Sequence, residues 1–142
     1  MDFCLDDARA AAERGEVPVG AVVIGPDGAL LARASNRVEA DRDPSAHAEM
    51  LAIRAAAALG SPRLVGCDLY VTLEPCPMCA QAISFARIRR VVFGAYDPKG
   101  GGVEHGARIF AAQSCHHAPD VVGGVREQEC AALLRGFFAE RR

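Results

Sequence analysis

Apolar positions recur along the chain in short blocks that switch between helical and strand spacing, separated by glycine, proline and charged runs. From Asp2 to Arg14, Phe3, Leu5, Ala8, Ala11 and Ala12 alternate with charges at helical intervals, and Gly15 is a natural stop. Val19 to Ile24 and Leu30 to Ala34 are strand-like runs joined by Gly25-Pro-Asp-Gly28, which is turn chemistry, so the pair predicts a hairpin. Asn36 to Pro44 is polar and aperiodic, and is expected to be a loop. Ser45 is the expected cap of a buried, alanine-rich helix from His47 to Leu59, with Glu49 in its first turn and Gly60 and Pro62 beyond its end.

The next block, Leu69-Tyr-Val-Thr-Leu73, has the β-branched and aromatic character of a strand and breaks at Pro75, which is expected in the first turn of a helix running to Ala86. Val91 to Ala95 forms another short strand. Strand, helix and strand in this order predict a parallel, right-handed crossover, and ligands in such sheets gather at the carboxyl ends of the strands. Asp97 to Asp120 is the least regular stretch and is expected to form loops around an active site, with a short helix near Ala107 to Ala112. Gly100-Gly-Gly102 lacks the Gly-Lys-Ser/Thr of a phosphate-binding loop and reads as a flexible connection. Val121 and Val122 suggest a last strand. Arg126 to Glu140 is an amphipathic helix with Cys130, Leu133, Leu134 and Phe137 on one face. No repeat or dividing linker interrupts this order, so residues 1–142 are expected to form a single α/β domain.

Composition narrows the class. Of 142 residues about half are apolar and a quarter charged, and no apolar stretch approaches the ~20 residues of a membrane span. Met-Asp-Phe-Cys-Leu-Asp-Asp lacks the basic start and continuous apolar run of a signal peptide, so the expected location is the cytoplasm. Six cysteines in that setting point to reduced thiols or metal ligands rather than disulfides. A net charge of −2 excludes a generally basic nucleic-acid binder but leaves room for a local patch. Fifteen of the sixteen basic residues are arginine, and Arg87, Arg89 and Arg90 form the only dense cluster, suited to phosphate or simply to a solvated surface.

The chemistry concentrates in two places. His47-Ala-Glu49 opens one predicted helix and Pro75-Cys-Pro-Met-Cys79 opens another, and helix starts favour the thiolate that binds metal. One histidine and two thiolates make three ligands. Structural zinc normally takes four protein ligands, whereas three leave a place for water and make the site catalytic. Zinc lowers the pKa of that water to about 7, and a nearby carboxylate, here Glu49, can carry protons to and from a substrate. Two plainer readings compete: Cys76-Pro-Met-Cys79 as a redox pair, and His47 with Glu49 as a polar helix start. Cys4, Cys67, Cys115 and Cys130 fit small buried positions. Cys115-His116-His117 and His105 fit loop packing better than a second metal site, since adjacent histidines rarely converge.

The H-x-E…P-C-x-x-C arrangement is the signature of the zinc nucleobase deaminases. Together with Val17-Pro-Val-Gly-Ala-Val22, Asn36-Arg37, Asp43-Pro-Ser-Ala-His-Ala-Glu49, Thr72-Leu-Glu-Pro-Cys76, Asp97-Pro-Lys-Gly100 and the Phe137-Phe138 ending, it resembles the bacterial tRNA-specific adenosine deaminases of the cytidine and deoxycytidylate deaminase superfamily, over nearly the whole chain. The resemblance implies a three-layer α/β/α, cytidine deaminase-like fold with a mixed five-stranded sheet. It implies one Zn2+ per subunit held by His47, Cys76 and Cys79, with Glu49 as proton shuttle. The implied reaction is hydrolytic deamination of adenosine to inosine at the wobble position of a tRNA anticodon stem-loop, in a homodimer. Asn36 matches a residue that contacts the target nucleotide, and Asp97, Lys99, Phe138 and Arg141 fall where such enzymes meet RNA. A free-base (guanine) deaminase is the alternative within catalysis, and a zinc-stabilised, non-catalytic RNA-binding module is the alternative outside it.

Overall fold

In the computed structural model, which describes residues 1–141, five strands form one mixed sheet in the order β2-β1-β3-β4-β5. The elements run α1 (Asp2–Glu13), β1 (Gly20–Ile24), β2 (Leu30–Ser35), α2 (Val38–Asp41), α3 (Ala48–Ala57), β3 (Asp68–Leu73), α4 (Pro77–Phe85), β4 (Arg90–Ala95), a 3-10 turn at Ile109–Ala111, β5 (Asp120–Val122) and α5 (Glu127–Ala139). The hairpin β1–β2 is antiparallel, β1 is antiparallel to β3, and β3, β4 and β5 are parallel. Helices α1 and α5 pack on one face, α3 and α4 on the other. The expected three-layer α/β/α architecture is therefore present.

Packing explains the layers. The core against α3 and α4 takes Leu69, Val71, Ile83, Ile88, Val91 and Phe93, all fully buried. Each such side chain stabilises the fold by roughly 1.5–3 kcal/mol relative to exposure. Alanines on α3 at 48, 52 and 56 let that helix lie close to β1 and β2. On the other face, Gly20 marks the tightest approach, because a Cβ there would overlap the Cys4 carbonyl of α1. The Gly20 N–H donates to Thr72 Oγ1 at 3.2 Å, which ties β1 to β3.

Three local expectations about turns and helix starts fail. The loop expected over Asn36 to Pro44 contains the helical turn α2. Its Glu39 and Ala40 N–H groups donate to the buried Glu16 carboxylate, 3.1 and 2.8 Å away. Ser45 does not cap α3; its N–H and hydroxyl both donate to Asp43 Oδ1. The residue at the cap position is His47, and the Ala48 N–H donates to Asn36 Oδ1 at 2.9 Å, so the cap oxygen comes from the end of β2. Pro75 lies ahead of α4 rather than in its first turn. Cys76 is the cap residue and Pro77 takes the first helical position.

A candidate metal centre at two helix starts

The carboxyl ends of β3 and β4 lie side by side, with Leu73 paired to Ala95 and the Glu74 N–H donating to the Ala95 carbonyl at 2.8 Å. Immediately beyond β3 the chain turns into α4, and α3 packs beside it. The cap residues of these two helices, His47 and Cys76, share the same extended backbone, at φ −75° and −71°, and neither side chain caps its own helix. Both side chains are thereby free to meet. His47 Nδ1 lies 3.6 Å from Cys76 Sγ and 3.5 Å from Cys79 Sγ, and the three ligand atoms all fall within 4.8 Å of one another. A tetrahedral zinc with bonds of about 2.3 Å to sulfur and about 2.0 Å to nitrogen would hold N and S about 3.5 Å apart. The residues therefore fit that ion. Among the described residues no other group of three such side chains converges.

The charges at the cluster are coupled. Cys76 is drawn down to about 4, chiefly by the hydrogen bond from Cys79 and, against its own burial, by that from His47. The same Cys76 contact, with burial second, pushes the Cys79 thiol up. His47 is raised above the ordinary imidazole value by its hydrogen bond to Cys76, more than burial lowers it. Without metal, the pair thus carries a single thiolate, on Cys76. Glu49, only 4% exposed, is pushed up by its own burial, with the Cys76 charge adding to the effect. Burial of this kind favours the protonated carboxyl and suits a group that takes up and gives back a proton.

His47, Glu49 and Cys76 open onto one cavity of about 590 Å³. Five parts of the chain complete its walls: Glu16, Val17 and Val19; Asn36, Val38 and Glu39; Leu73 and Glu74; Asp97 and Gly100; and Phe137 with Arg141. Asn36 is buried, and since its Oδ1 is taken by the Ala48 N–H, its NH2 group is what it can offer to a guest. Asp97 lines the cavity, while Lys99 is exposed on the same loop outside it. Arg141 lies 3.4 Å over the Phe137 ring and donates to the Phe137 carbonyl. Phe138 is exposed on the next part of α5, beside Leu134, Arg135 and Ala139, and does not line the cavity. Phe137, expected only in the core face of α5, does both.

The remaining candidates have separate roles. Arg87, Arg89 and Arg90 stand at the opposite end of β4 from the cavity, about 17–20 Å away along a six-residue strand. Arg89 there forms a two-pronged ion pair with Asp68 at 2.9 and 2.6 Å. His117 Nε2 bonds the Ile88 carbonyl and His105 Nδ1 bonds Glu74, in keeping with loop packing. Cys4, Cys67 and Cys130 are buried, whereas Cys115 is half-buried against Ser84. Two cavity residues escaped the sequence reading, Glu16 and Glu74. Each is a carboxylate wedged beside a Pro-containing apolar stretch, a place where burial demands many donors, and that was the available signal.

Residues 1–95 match the family model described as the cytidine and deoxycytidylate deaminase zinc-binding region. The tRNA-specific adenosine deaminase of Agrobacterium fabrum is 58% identical over all of this chain and 93% of its own length. A solved structure from a study of A-to-I editing by tRNA:A34 deaminases at the wobble position superimposes with a TM-score of 0.92 at 58% identity, covering 94% of this chain and 97% of its own. A guanine deaminase from Nitrosomonas europaea is more distant, at 26% identity and a TM-score of 0.83, covering 97% of this chain and 82% of its own.

Proposed function

The chain belongs to the cytidine and deoxycytidylate deaminase family, and from that premise we propose that it hydrolyses adenosine to inosine at the wobble position of a tRNA anticodon. The observation that carries the reading is that His47, Cys76 and the buried Glu49 open onto one cavity that Asn36, held by the amide between His47 and Glu49, also lines. His47, Cys76 and Cys79 would hold one Zn2+ per subunit. When bound, zinc supplies the nucleophile by acidifying a water at the position its three protein ligands leave open.

The chain's own residues account for the proton traffic. Glu49 takes one proton from the attacking water and delivers it to the purine ring, then takes the second from the added hydroxyl and delivers it to the departing amine, which is a poor leaving group until protonated. Its burial favours the protonated state midway through that cycle. Asn36 orients the base: with its carbonyl committed to Ala48, its NH2 is a donor held towards the cavity, suited to an acceptor nitrogen of the purine. A base presented by RNA must leave its stack to enter such a cavity. Asp97 and Arg141 line the mouth, and Lys99 and Phe138 stand outside it, where flanking nucleotides would lie. Aromatic and arginine side chains at those places suit stacking and phosphate contact. We read residues 1–142 as one catalytic domain working as a homodimer in the cytoplasm; no helix of the described residues is long and apolar enough to cross a membrane.

The test supplies an anticodon stem-loop with adenosine at the wobble position and, in parallel, free adenosine, adenine, guanine and cytidine. Inosine and ammonia from the stem-loop are expected. Turnover of guanine with none on the stem-loop would replace this reading with a free-base deaminase. Zinc and RNA binding without any turnover would leave a non-catalytic module.

A further inference from the structure

Glu74 stands between β3 and the ligand Cys76, and its side chain is wholly shielded from solvent. It does not face the metal cluster with a free oxygen. Instead it receives hydrogen bonds from one short segment, the loop that follows the neighbouring strand β4. Oε1 accepts the Asp97 N–H at 3.0 Å and His105 Nδ1 at 2.8 Å. Oε2 accepts the N–H groups of Val103, Glu104 and His105 at 3.3, 2.9 and 3.1 Å. The segment is drawn in so closely that Gly101 has no room for a Cβ, which would overlap Glu74 Oε2 and sit 2.5 Å from the Asp97 carbonyl. The Gly102 N–H donates to the Pro75 carbonyl at 2.8 Å, adding a second tie to the same turn. The expected flexibility of Gly100-Gly-Gly102 is thus replaced by a loop wound onto a buried carboxylate. Gly101 and Gly102 are themselves buried.

We infer that Glu74 is a positioning residue that holds the 97–105 loop as the fixed wall of the cavity, setting where the substrate strand enters relative to the metal cluster. The inference deepens the proposed reading and rests on it for the identity of the substrate. A carboxylate suits this task because it offers only acceptors, and all five donors come from backbone amides and an imidazole of a single loop. The covalent distance is short as well. Only Pro75 separates the carboxylate that holds the wall from the thiolate that would hold the metal, so wall and ligand share one strand end.

The experiment combines hydrogen exchange of the zinc-loaded enzyme with steady-state kinetics on the wobble-adenosine stem-loop. In the wild type the amides of Asp97, Val103, Glu104 and His105 should exchange about 100-fold or more slowly than open loop amides. Glu74→Gln places an NH2 group against those donors. It should lose the protection and raise KM about tenfold, with kcat changed by less than about threefold and zinc content unchanged. His105→Phe, which keeps a ring beside Tyr96 without the donor, should move KM the same way by a smaller factor. Gly101→Ala, which pushes on the clamp from the loop side, carries the kinetic arm if Glu74→Gln does not fold. Unprotected amides in the wild type would overturn the inference. So would a protection loss that leaves KM unchanged, or a loss of zinc and kcat at constant KM, which would mean that Glu74 serves the ligand helix alone. A wild type active only on a free base would instead sink the substrate reading, and KM would then be compared on that base.

Discussion

The two sides of the cavity are built by different means. On the ligand side, His47 and Cys76 are cap residues of α3 and α4, and their extended backbones aim unused side chains at each other. On the wall side, nothing is aimed by regular structure; the loop from Asp97 to His105 is gathered chiefly onto one buried carboxylate, with a backbone tie to Pro75 beside it. Helix starts hold their side chains rigidly and favour the thiolate, which suits a metal site. A wound loop can vary its length and side chains while keeping its anchor, which suits recognition. If the proposed reading holds, the division predicts that metal chemistry and substrate entry are separable by mutation even though Glu74 and Cys76 are almost adjacent.

The largest effects belong to the ligand side. Cys79→Ala should abolish turnover by removing zinc, read as the loss of about one equivalent of metal by elemental analysis, whereas a loop variant should retain it. Zinc uptake by the wild type should also release protons at neutral pH. Cys79 is raised and holds its proton until the metal arrives, and His47, raised too, must be neutral to bind. Calorimetry in buffers of different ionisation enthalpy measures that release, and its absence would contradict the single-thiolate description. By the same sign, zinc affinity should fall as pH is lowered and His47 takes up its proton.

Next in size is Glu49→Gln, expected to lower kcat by about 10²–10⁴-fold with zinc content and melting temperature little changed. Loss of zinc in this variant would turn Glu49 from a proton carrier into a structural helix-start residue. Asn36→Ala stands between the two sides, because the residue both caps α3 and lines the cavity. It should cost about 0.5–2 kcal/mol of stability by denaturant unfolding and weaken substrate binding together. The smallest effect is reserved for a place remote from both sides. Arg87, at φ 62°, follows α4 in a left-handed conformation, and Arg87→Gly should stabilise the fold by about 1 kcal/mol without changing kinetics. A large fall in RNA affinity there would reveal that the distant arginine cluster takes part in binding.

The ligand side was legible because its information is local. His47-Ala-Glu49 and Cys76-Pro-Met-Cys79 each occupy a few consecutive residues, and the number of ligands distinguishes an open site from a closed one. Their exact placement at caps was not legible, because Ser45 is drawn to Asp43 while the oxygen that receives the Ala48 amide arrives from Asn36. The turn α2 escaped for the same reason: its exposed amides are satisfied by Glu16, more than twenty residues earlier.

Hydrophobic spacing marked the longer helices and the strands, since burial of an apolar face is decided by the period of the residues that form it, while the resemblance supplied the five-stranded sheet and its layers. Motif chemistry singled out His47, Cys76 and Cys79, which the fold brings together, and the neighbouring carboxylate Glu49. Only the tertiary structure decided which buried polar groups serve which backbone. A carboxylate such as Glu74 or Glu16 needs donors that no local pattern names, and it finds them wherever the folded chain brings unsatisfied amides within reach. That is why the cavity's chemistry could be read from the residues in order, while its wall had to be seen assembled.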